Sequence, residues 1–353
     1  MRRLILNIHL SMGLAAGAFV IVLGATGSIL AFEPELDRLL HRDTAYVTPG
    51  GKTLSLVEIG RVISREYPGE PVVAYLLSPE VNVATQVVLS RGIVAVNQYT
   101  GESLGVRTRG PSFLGLVRAL HVRLATGNGG RFIVKWCSLA LLISLLSGLY
   151  LWWPVKRMRV GGTRWSARFF YDLHSTVGFY TLLPTLVLVG TGTVISFEDQ
   201  VAVLIDKWTG PRAIDKRPLP VAPKSQADRS ELSPDEAVAV ASAQLPGAIP
   251  YRVQMPGAGG FYVIALQYPQ NRVSGERNFI SLDPASGRIM AARVSSDLTF
   301  RDRFMAANRA IHNCTIWGLP SRIVGAVTSI LLPLQVVSGL LIWLRRKGIL
   351  RTR

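Results

Sequence analysis

The chain has 353 residues, 49% of them hydrophobic, and a formal net charge of +17. Its long apolar runs exclude an ordinary soluble domain, because about 20 apolar residues are what a helix needs to cross a ~30 Å hydrocarbon core. Its basic excess does not indicate nucleic-acid binding. Twelve of the cations stand in three short segments beside those runs, without Asp or Glu among them, where they favour contact with membrane lipid.

Four apolar stretches predict four spans, and the chain divides around them. In order we expect a first span (1–32), an outer module (33–112), a surface helix with the second span (113–155), a basic loop (156–168), the third span (169–197), a second outer module (198–303), a surface helix with the fourth span (304–344) and a basic tail (345–353). We interpret the stretches Ile8–Phe32, Phe132–Trp153, Phe169–Phe197 and Ile323–Leu344 as lacking interior charge, with Lys135 near an end.

The distribution of cations predicts the orientation. Arg2 and Arg3, the 156–168 loop and the 345–353 tail lie on one side of four spans, and the positive-inside rule makes that side cytoplasmic. The first apolar run is too long for a signal-peptide core, so we expect an uncleaved span. Both termini are then cytoplasmic, and the two large loops are periplasmic if the cell is Gram-negative.

Each large loop carries the signals of a small α+β module. Ser55 with Glu58, and Ser233 with Glu236, predict capping boxes that open helices ended by Pro68 and Pro246. Strand-like runs follow: Val72–Leu77, Val83–Leu89, Ile93–Asn97, Tyr251–Met255, Gly260–Gln267 and Asn278–Leu282. A Pro- and charge-rich connector occupies 211–224.

Four of the five histidines form two matched pairs. His9 and His174 open similar spans at an offset of 165 residues, and His121 and His312 precede similar spans at an offset of 191. His41 has no counterpart, and we interpret it as a surface residue. Spans paired in this way predict two parallel repeats related by an axis along the membrane normal.

Histidines kept in both halves suggest two bis-imidazole sites, and the bundle interior is where such cofactors are held. Heme is the expected occupant, and it would be non-covalent because the sequence contains no C-x-x-C-H. Zinc fits less well, since it favours four ligands in one place. The alternative is structural: the glycines that follow His9 at Gly13, Gly17, Gly24 and Gly27 also suit close helix packing.

Other polar residues near the pairs have two interpretations. Arg118 and Arg309 stand three residues before His121 and His312, so they could bind a heme propionate or anchor lipid phosphate. Arg123, Arg301 and Arg303 could likewise hold a propionate, orient an anionic chelate or anchor lipid. Cys137 and Cys314 are expected to be buried thiols, although the sequence leaves a disulfide between them open.

The chain resembles the PepSY-associated transmembrane family of iron-regulated membrane proteins. The resemblance rests on the His-x3-Gly openings of spans one and three, on Ala119-Leu-His121 with Arg131, on Leu146-Ser-Gly-Leu-Tyr-Leu-Trp-Trp-Pro154, and on the Thr-Gly-Glu and Ala-Ser-Gly turns of the modules. It implies an integral membrane α-helical fold: a four-span bundle of two parallel repeats with two periplasmic PepSY-like α+β modules. Within the family the chain looks most like ferrioxamine-type ferrisiderophore reductases.

That resemblance implies two heme b groups with His9, His121, His174 and His312 as axial ligands, and reduction of ferric siderophore iron at the periplasmic side of the inner membrane. No nucleotide-binding loop is evident, so the electron donor would be separate, either membrane quinol or a cytosolic flavin reductase. Two competing hypotheses are a PepSY-type regulatory or binding protein that controls a protease or assembles a partner, and a transporter of siderophore or heme.

Overall fold

The computed structural model describes residues 1–108, 112–163, 165–210, 231–257, 260–269 and 278–350. The chain divides into two compact units. The bundle unit comprises Met1–Glu33, Ser112–Gly210 and Phe304–Arg353, and the sheet unit comprises Pro34–Pro111 and Pro211–Arg303. The connector expected at 211–224, and Arg164, Arg351 and Arg353 of the basic segments, lie outside the described residues.

Helices and strands follow each other in groups along the chain, and each group of four strands comes directly after a helix. In order the helices are α1 (Arg2–Leu30), α2 (Glu33–Leu40), α3 (Arg42–Ala45), α4 (Leu56–Glu66), α5 (Phe113–Arg123), α6 (Gly127–Trp152), α7 (Ala167–Ser196), α8 (Glu198–Thr209), α9 (Pro234–Gln244), α10 (Phe300–His312) and α11 (Leu319–Arg346). The strands are β1 (Val72–Leu76), β2 (Thr85–Leu89), β3 (Gly92–Val96), β4 (Ser103–Thr108), β5 (Ile249–Gln254), β6 (Tyr262–Gln267), β7 (Asn278–Leu282) and β8 (Ile289–Arg293).

Four helices of the bundle unit, α1, α6, α7 and α11, are long and apolar enough to cross a membrane. A helix satisfies its own backbone hydrogen bonds, which lipid cannot do. Each of α1 and α7 packs against both α6 and α11. The spans therefore form a square in which α1 and α7 occupy opposite corners.

Small and hydroxyl side chains line the interior of this square. Lipid tails are as apolar as leucine, so spans associate through close packing and polar contacts rather than through apolar burial. A Cβ added at Gly24 would lie 2.6 Å from the Ser329 carbonyl oxygen of α11, so the two backbones approach closely there. The buried interior positions include Gly24, Thr26, Ser144, Ser147, Thr185, Thr328 and Ser338.

The expectation that the third stretch lacks interior charge is wrong. Asp172 lies in α7 with only 1% of its surface exposed. Its carboxylate is 3.1 Å from Arg157 and 3.7 Å from Arg168, and it accepts the Gly161 N–H at 3.1 Å. A buried carboxylate needs such partners, and here the basic loop before α7 supplies Arg157 and Gly161 while the first turn of α7 supplies Arg168.

The sheet unit contains one antiparallel sheet in the order β4-β3-β2-β1-β5-β6-β7-β8. The two predicted modules are therefore not separate sheets, because β1 pairs with β5 and joins them. Both predicted capping boxes are present, one at the start of α4 and the other at the start of α9. These helices pack on the sheet over a core that includes Ile59, Ile63, Val87, Val94, Ala237, Ala241, Ile264, Leu266 and Leu282.

Two short helices precede spans α6 and α11: α5 lies in the bundle unit, and α10 begins in the sheet unit and continues in the bundle unit from Phe304. Ser112 caps α5 by accepting the Gly115 N–H, and the left-handed backbone of Leu124 and Ala125 ends it before α6 begins. The other, α10, ends at His312, and Cys314 has a positive φ of 56° before α11 begins. These turns place His121 and His312 in the last turns of their helices, beside α1 and α7 respectively.

Candidate functional site: two histidine pairs

The first pair lies near the end of the bundle at which α1 begins and α11 ends, here called the terminal end. The rings of His9 on α1 and His174 on α7 have centroids 6.2 Å apart and planes at 80°. His9 Nδ1 lies 2.9 Å from the Ser144 carbonyl oxygen, and His174 Nδ1 lies 3.0 Å from that of Gln335. The pair therefore spans the diagonal of the square, and each ring is held by the neighbouring span of its own half.

The second pair lies toward the opposite end of α1 and α7, here called the far end. The rings of His121 and His312 have centroids 6.3 Å apart and planes at 41°. His121 Nδ1 lies 3.1 Å from the Leu23 carbonyl oxygen, and His312 Nδ1 lies 3.1 Å from that of Leu188. The structure thus brings together both pairs that the repeat offsets predict.

All four histidines are held by the same local arrangement on a spanning helix. A carbonyl oxygen accepts from Nδ1, and a hydroxyl three residues later lies within 3.2 Å of the same nitrogen. A carbonyl can only accept, so Nδ1 carries the proton and Nε2 keeps its lone pair. Metal-ligating histidines commonly have a partner of this kind on the non-ligating nitrogen. The hydroxyl residues are Thr26, Ser147, Thr191 and Ser338.

A glycine directly follows each of these hydroxyl residues and lies against the imidazole. A Cβ added at Gly27, Gly148 or Gly339 would come within 3.1 Å of a histidine Cε1, and one at Gly192 within 2.9 Å. These contacts are tighter than most Cβ atoms make, so a side chain at any of the four positions would require the ring to shift by a few tenths of an ångström. Gly17 and Gly24 face α11 instead. In span one, Gly27 therefore leaves space for an imidazole, whereas Gly17 and Gly24 allow close helix packing.

Burial keeps the imidazoles of the second pair neutral. Desolvation, followed by the repulsion of His312, lowers the pKa of His121 to about 4. Desolvation also lowers the pKa of His312. Charging a buried imidazole is unfavourable, and the neutral form is the one that ligates a metal. These histidines are therefore in the ligating state at neutral pH.

The spacing of both pairs fits one metal ion between two imidazoles. A metal–imidazole bond is about 2.0–2.1 Å and a ring nitrogen lies about 1.1 Å from its centroid, so opposed ligands place their centroids about 6.2–6.4 Å apart. Among the described residues no group of three or more His, Cys, Asp or Glu side chains could hold a metal. Two protein ligands therefore need a cofactor that supplies the rest, and heme does so by taking axial ligands alone.

The arginines predicted to bind propionate have carboxylate partners in the chain. Arg118 forms an ion pair with Glu33, and Arg309 forms one with Glu198. Both guanidinium groups are more than half exposed, so a contact with an additional anion stays a prediction. Of the other cations considered, Arg123 ends α5 in the bundle unit, whereas Arg301 and Arg303 belong to the sheet unit.

The sequence interpretation missed three features of these sites. It assigned no role to the hydroxyl residues, although Thr26-Gly27 and Thr191-Gly192 recur at an offset of 165. It also missed Asp172, two residues before His174, because the surrounding run is apolar. Asn308, buried and donating to the Thr191 carbonyl oxygen at 3.1 Å, was missed as well. The two cysteines are buried free thiols, as expected.

Comparison with known proteins places the whole chain in one family. The model of the PepSY-associated TM region matches residues 6–346. No curated protein matches the chain. The match covers nearly the whole length, and with the four apolar helices it indicates a multi-pass membrane protein.

Proposed function

Because the chain belongs to the PepSY-associated transmembrane family of iron-regulated membrane proteins, we propose that it is a diheme, b-type electron-transfer protein of the bacterial inner membrane. Its reaction is the one-electron reduction of ferric siderophore iron to Fe(II) in the periplasm, which makes it a ferric-chelate reductase. The observation that carries this proposal is the pair of opposed imidazoles, found twice, at the spacing of one metal ion.

The residues of each site have separate tasks. Nε2 of His9 and of His174 would hold the iron of one heme, and Nε2 of His121 and of His312 would hold the iron of the other. The carbonyl and hydroxyl partners fix the tautomer and the ring direction and raise the basicity of the ligand. The glycines let the rings lie flush against the spans. Heme, when bound, supplies an iron that changes between Fe(III) and Fe(II) without leaving its two protein ligands.

The separation of the sites supports a transmembrane path. Seventeen residues separate His9 from Thr26 on α1, and the same number separates His174 from Thr191 on α7. At 1.5 Å per residue this is about 26 Å along each helix, most of the ~30 Å hydrocarbon core. One pair therefore serves each face of the membrane.

The charges at the terminal end support its assignment to the cytoplasm. Its described cations include Arg2, Arg3, Lys156, Arg157, Arg159, Arg168, Arg345, Arg346 and Lys347, the distribution that the positive-inside rule associates with cytoplasmic loops and with anionic lipid. A donor, either membrane quinol or a cytosolic flavin reductase, would then act at the His9 pair. The His121 pair would face the periplasm, where a ferric siderophore accepts the electron.

Spectroscopy and stoichiometry test this proposal. The purified protein should contain two hemes per chain and show low-spin bands after dithionite reduction. His9→Ala or His174→Ala should remove or convert one heme, and His121→Ala or His312→Ala the other. His41→Ala is the matched control, because the ring of that histidine contacts Asp37 and belongs to neither pair. A wild-type protein without heme, or unchanged spectra in the paired variants, contradicts the proposal.

The substrate requires a separate measurement. Dithionite-reduced protein, freed of excess reductant, should be reoxidised without oxygen by a ferric hydroxamate siderophore, with Fe(II) trapped by ferrozine. His121→Ala or His312→Ala should slow this reoxidation more than it slows chemical reduction of the heme at the His9 and His174 pair. If the reduced hemes do not react with ferric chelates but are oxidised by another periplasmic acceptor, the siderophore assignment is refuted and the electron-transfer proposal stands.

A further inference from the structure

One guanidinium group near the first histidine pair is half-buried and lacks a full set of partners among the described residues. Arg345, close to the end of α11, lies over the ring of Phe170, with its guanidinium carbon 5.2 Å from the ring centroid. Phe170 is itself only 5% exposed. The Nε atom of Arg345 is buried and has no hydrogen-bond acceptor among the described residues. Burying a charged donor without an acceptor is unfavourable, so this position suits an anion other than those that the described residues provide.

The helix geometry directs Arg345 toward the first pair. Arg345 follows Ser338 by seven residues, so both lie on the same face of α11, and Ser338 Oγ contacts His174 Nδ1 at 3.0 Å. Phe170, over whose ring the Arg345 guanidinium lies, precedes His174 by four residues on α7. The guanidinium therefore lies about 6–10 Å from the His174 level toward the terminal end.

Among the charged residues near the first histidine pair, Arg345 is the candidate for binding an additional anion. Asp172, the buried carboxylate beside His174, is already paired with Arg157 and Arg168. Arg346 is exposed. At the offset of 191 that relates the two halves, the counterpart of Arg345 is Pro154, so the histidines are duplicated and this cation is not.

We infer that Arg345 binds a propionate carboxylate of the heme held by His9 and His174. This inference rests on the proposed function. A porphyrin edge with its two-methylene propionate arm covers the distance from the ligand level to Arg345. An arginine fork matches a carboxylate in a bidentate geometry, and stacking on Phe170 holds the fork in place.

The test compares protoheme with its dimethyl ester, in which both propionates are uncharged. A His121→Ala background leaves the first pair as the intact site. Apoprotein from this background, with and without Arg345→Gln, is titrated with each porphyrin, and the absorbance of the bound form gives the apparent Kd. Arg345→Gln should weaken protoheme binding about tenfold or more, as expected for a lost charge-assisted contact, and should leave the affinity for the ester unchanged.

Arg346→Gln is the matched control, because it removes the same charge from the adjacent exposed position, and it should leave both affinities unchanged. Arg345→Lys keeps the charge without the fork and should give an intermediate loss; it also serves if the glutamine variant does not accumulate. Equal losses for protoheme and ester, or no loss at all, overturn the role of Arg345 while the two-heme proposal stands. A wild-type protein that binds neither porphyrin overturns both.

Discussion

Asp235 and Leu56, 179 residues apart in sequence, are joined by a hydrogen bond in which the Leu56 N–H donates to Asp235 Oδ1 at 2.8 Å. The second oxygen of the same carboxylate accepts the Val57 N–H at 2.9 Å. Asp235 belongs to the first turn of α9, yet it satisfies the free N–H groups at the start of α4. Negative charge at a helix N-terminus is stabilising, so this one side chain links the two helices that cover the sheet.

We expect Asp235→Ala to destabilise α4 by about 1–2 kcal/mol, the usual cost of a lost N-terminal cap. Asp235→Asn keeps an acceptor and should lose less. Hydrogen exchange followed by mass spectrometry should show faster exchange in the peptide that covers α4. Asp297→Ala, at an exposed aspartate outside this contact, is the control, and equal protection of α4 in Asp235→Ala and wild type would contradict the role assigned to Asp235.

The capping boxes predict how the sheet unit responds to acid. Hydrogen bonds from the Ser55 backbone and side chain lower the pKa of Glu58 below its ordinary value of 4.5, and those from Ser233 lower the pKa of Glu236. A lowered pKa in the folded state means that the stabilisation is complete above the ordinary value and is lost as pH falls through the folded value. Protection of α4 and α9 from exchange, corrected for the intrinsic pH dependence, should therefore decline below about pH 4.5.

Glutamine at both positions removes the titrating group and keeps a side-chain acceptor. The Glu58→Gln, Glu236→Gln variant should therefore show a flatter acid response than the wild type. An acid response of the same steepness in the variant would show that other groups govern it.

Gly192 and Gly190 offer a matched pair of substitutions on one helix. A Cβ at Gly192 would lie 2.9 Å from His312 Cε1, whereas one at Gly190 would meet nothing within 4 Å. Gly192→Ala should displace the His312 ring at a cost of about 1–3 kcal/mol, which weakens retention of the heme at the far end by roughly tenfold or more. Gly190→Ala should retain both hemes.

Heme content per chain and the reduced spectrum measure this difference. If both alanine variants retain two unaltered hemes, the close fit between glycine and imidazole is not needed for binding. If both lose heme equally, the effect belongs to packing of α7 rather than to His312.

The orientation can be tested without reference to heme. Reporter fusions between Pro154 and Thr163 should be active only in the cytoplasm, because this loop lies at the basic terminal end of the bundle. Fusions within β4 of the sheet unit should be active only outside. A loop fusion active in the periplasm would reverse the direction of electron transfer proposed above.

The sequence predicted the parts of the site that depend on repetition. Offsets of 165 and 191 residues paired His9 with His174 and His121 with His312, and the structure brings each pair together. The Ser-x-x-Glu signals of the capping boxes are local, and both helices begin where these signals place them.

Features that depend on contacts between distant segments were not predictable in the same way. The pairing of β1 with β5 joins segments from the two halves of the chain, and neither strand indicates its partner in its own sequence. Strand β8 was missed because Ile289-Met-Ala-Ala-Arg has little β-branched character. Strand β4 contains Gly105 at a φ of 143°, which interrupts the alternation by which a strand is recognised.

The register of β1 against β5 has a consequence for the origin of the chain. Tyr75 pairs with Val253, its own equivalent at an offset of 178, and the flanking pairs Ala74 with Gln254 and Leu76 with Arg252 exchange equivalent positions. A contact in which each position meets the counterpart of the other is the signature of an isologous dimer. The histidine pairs obey the same rule, one ring from each half. In these contacts the two halves of the chain are related as the subunits of such a dimer are. A single chain needs no association between subunits, so its halves can differ, and the position that holds Pro154 in one half holds Arg345 in the other.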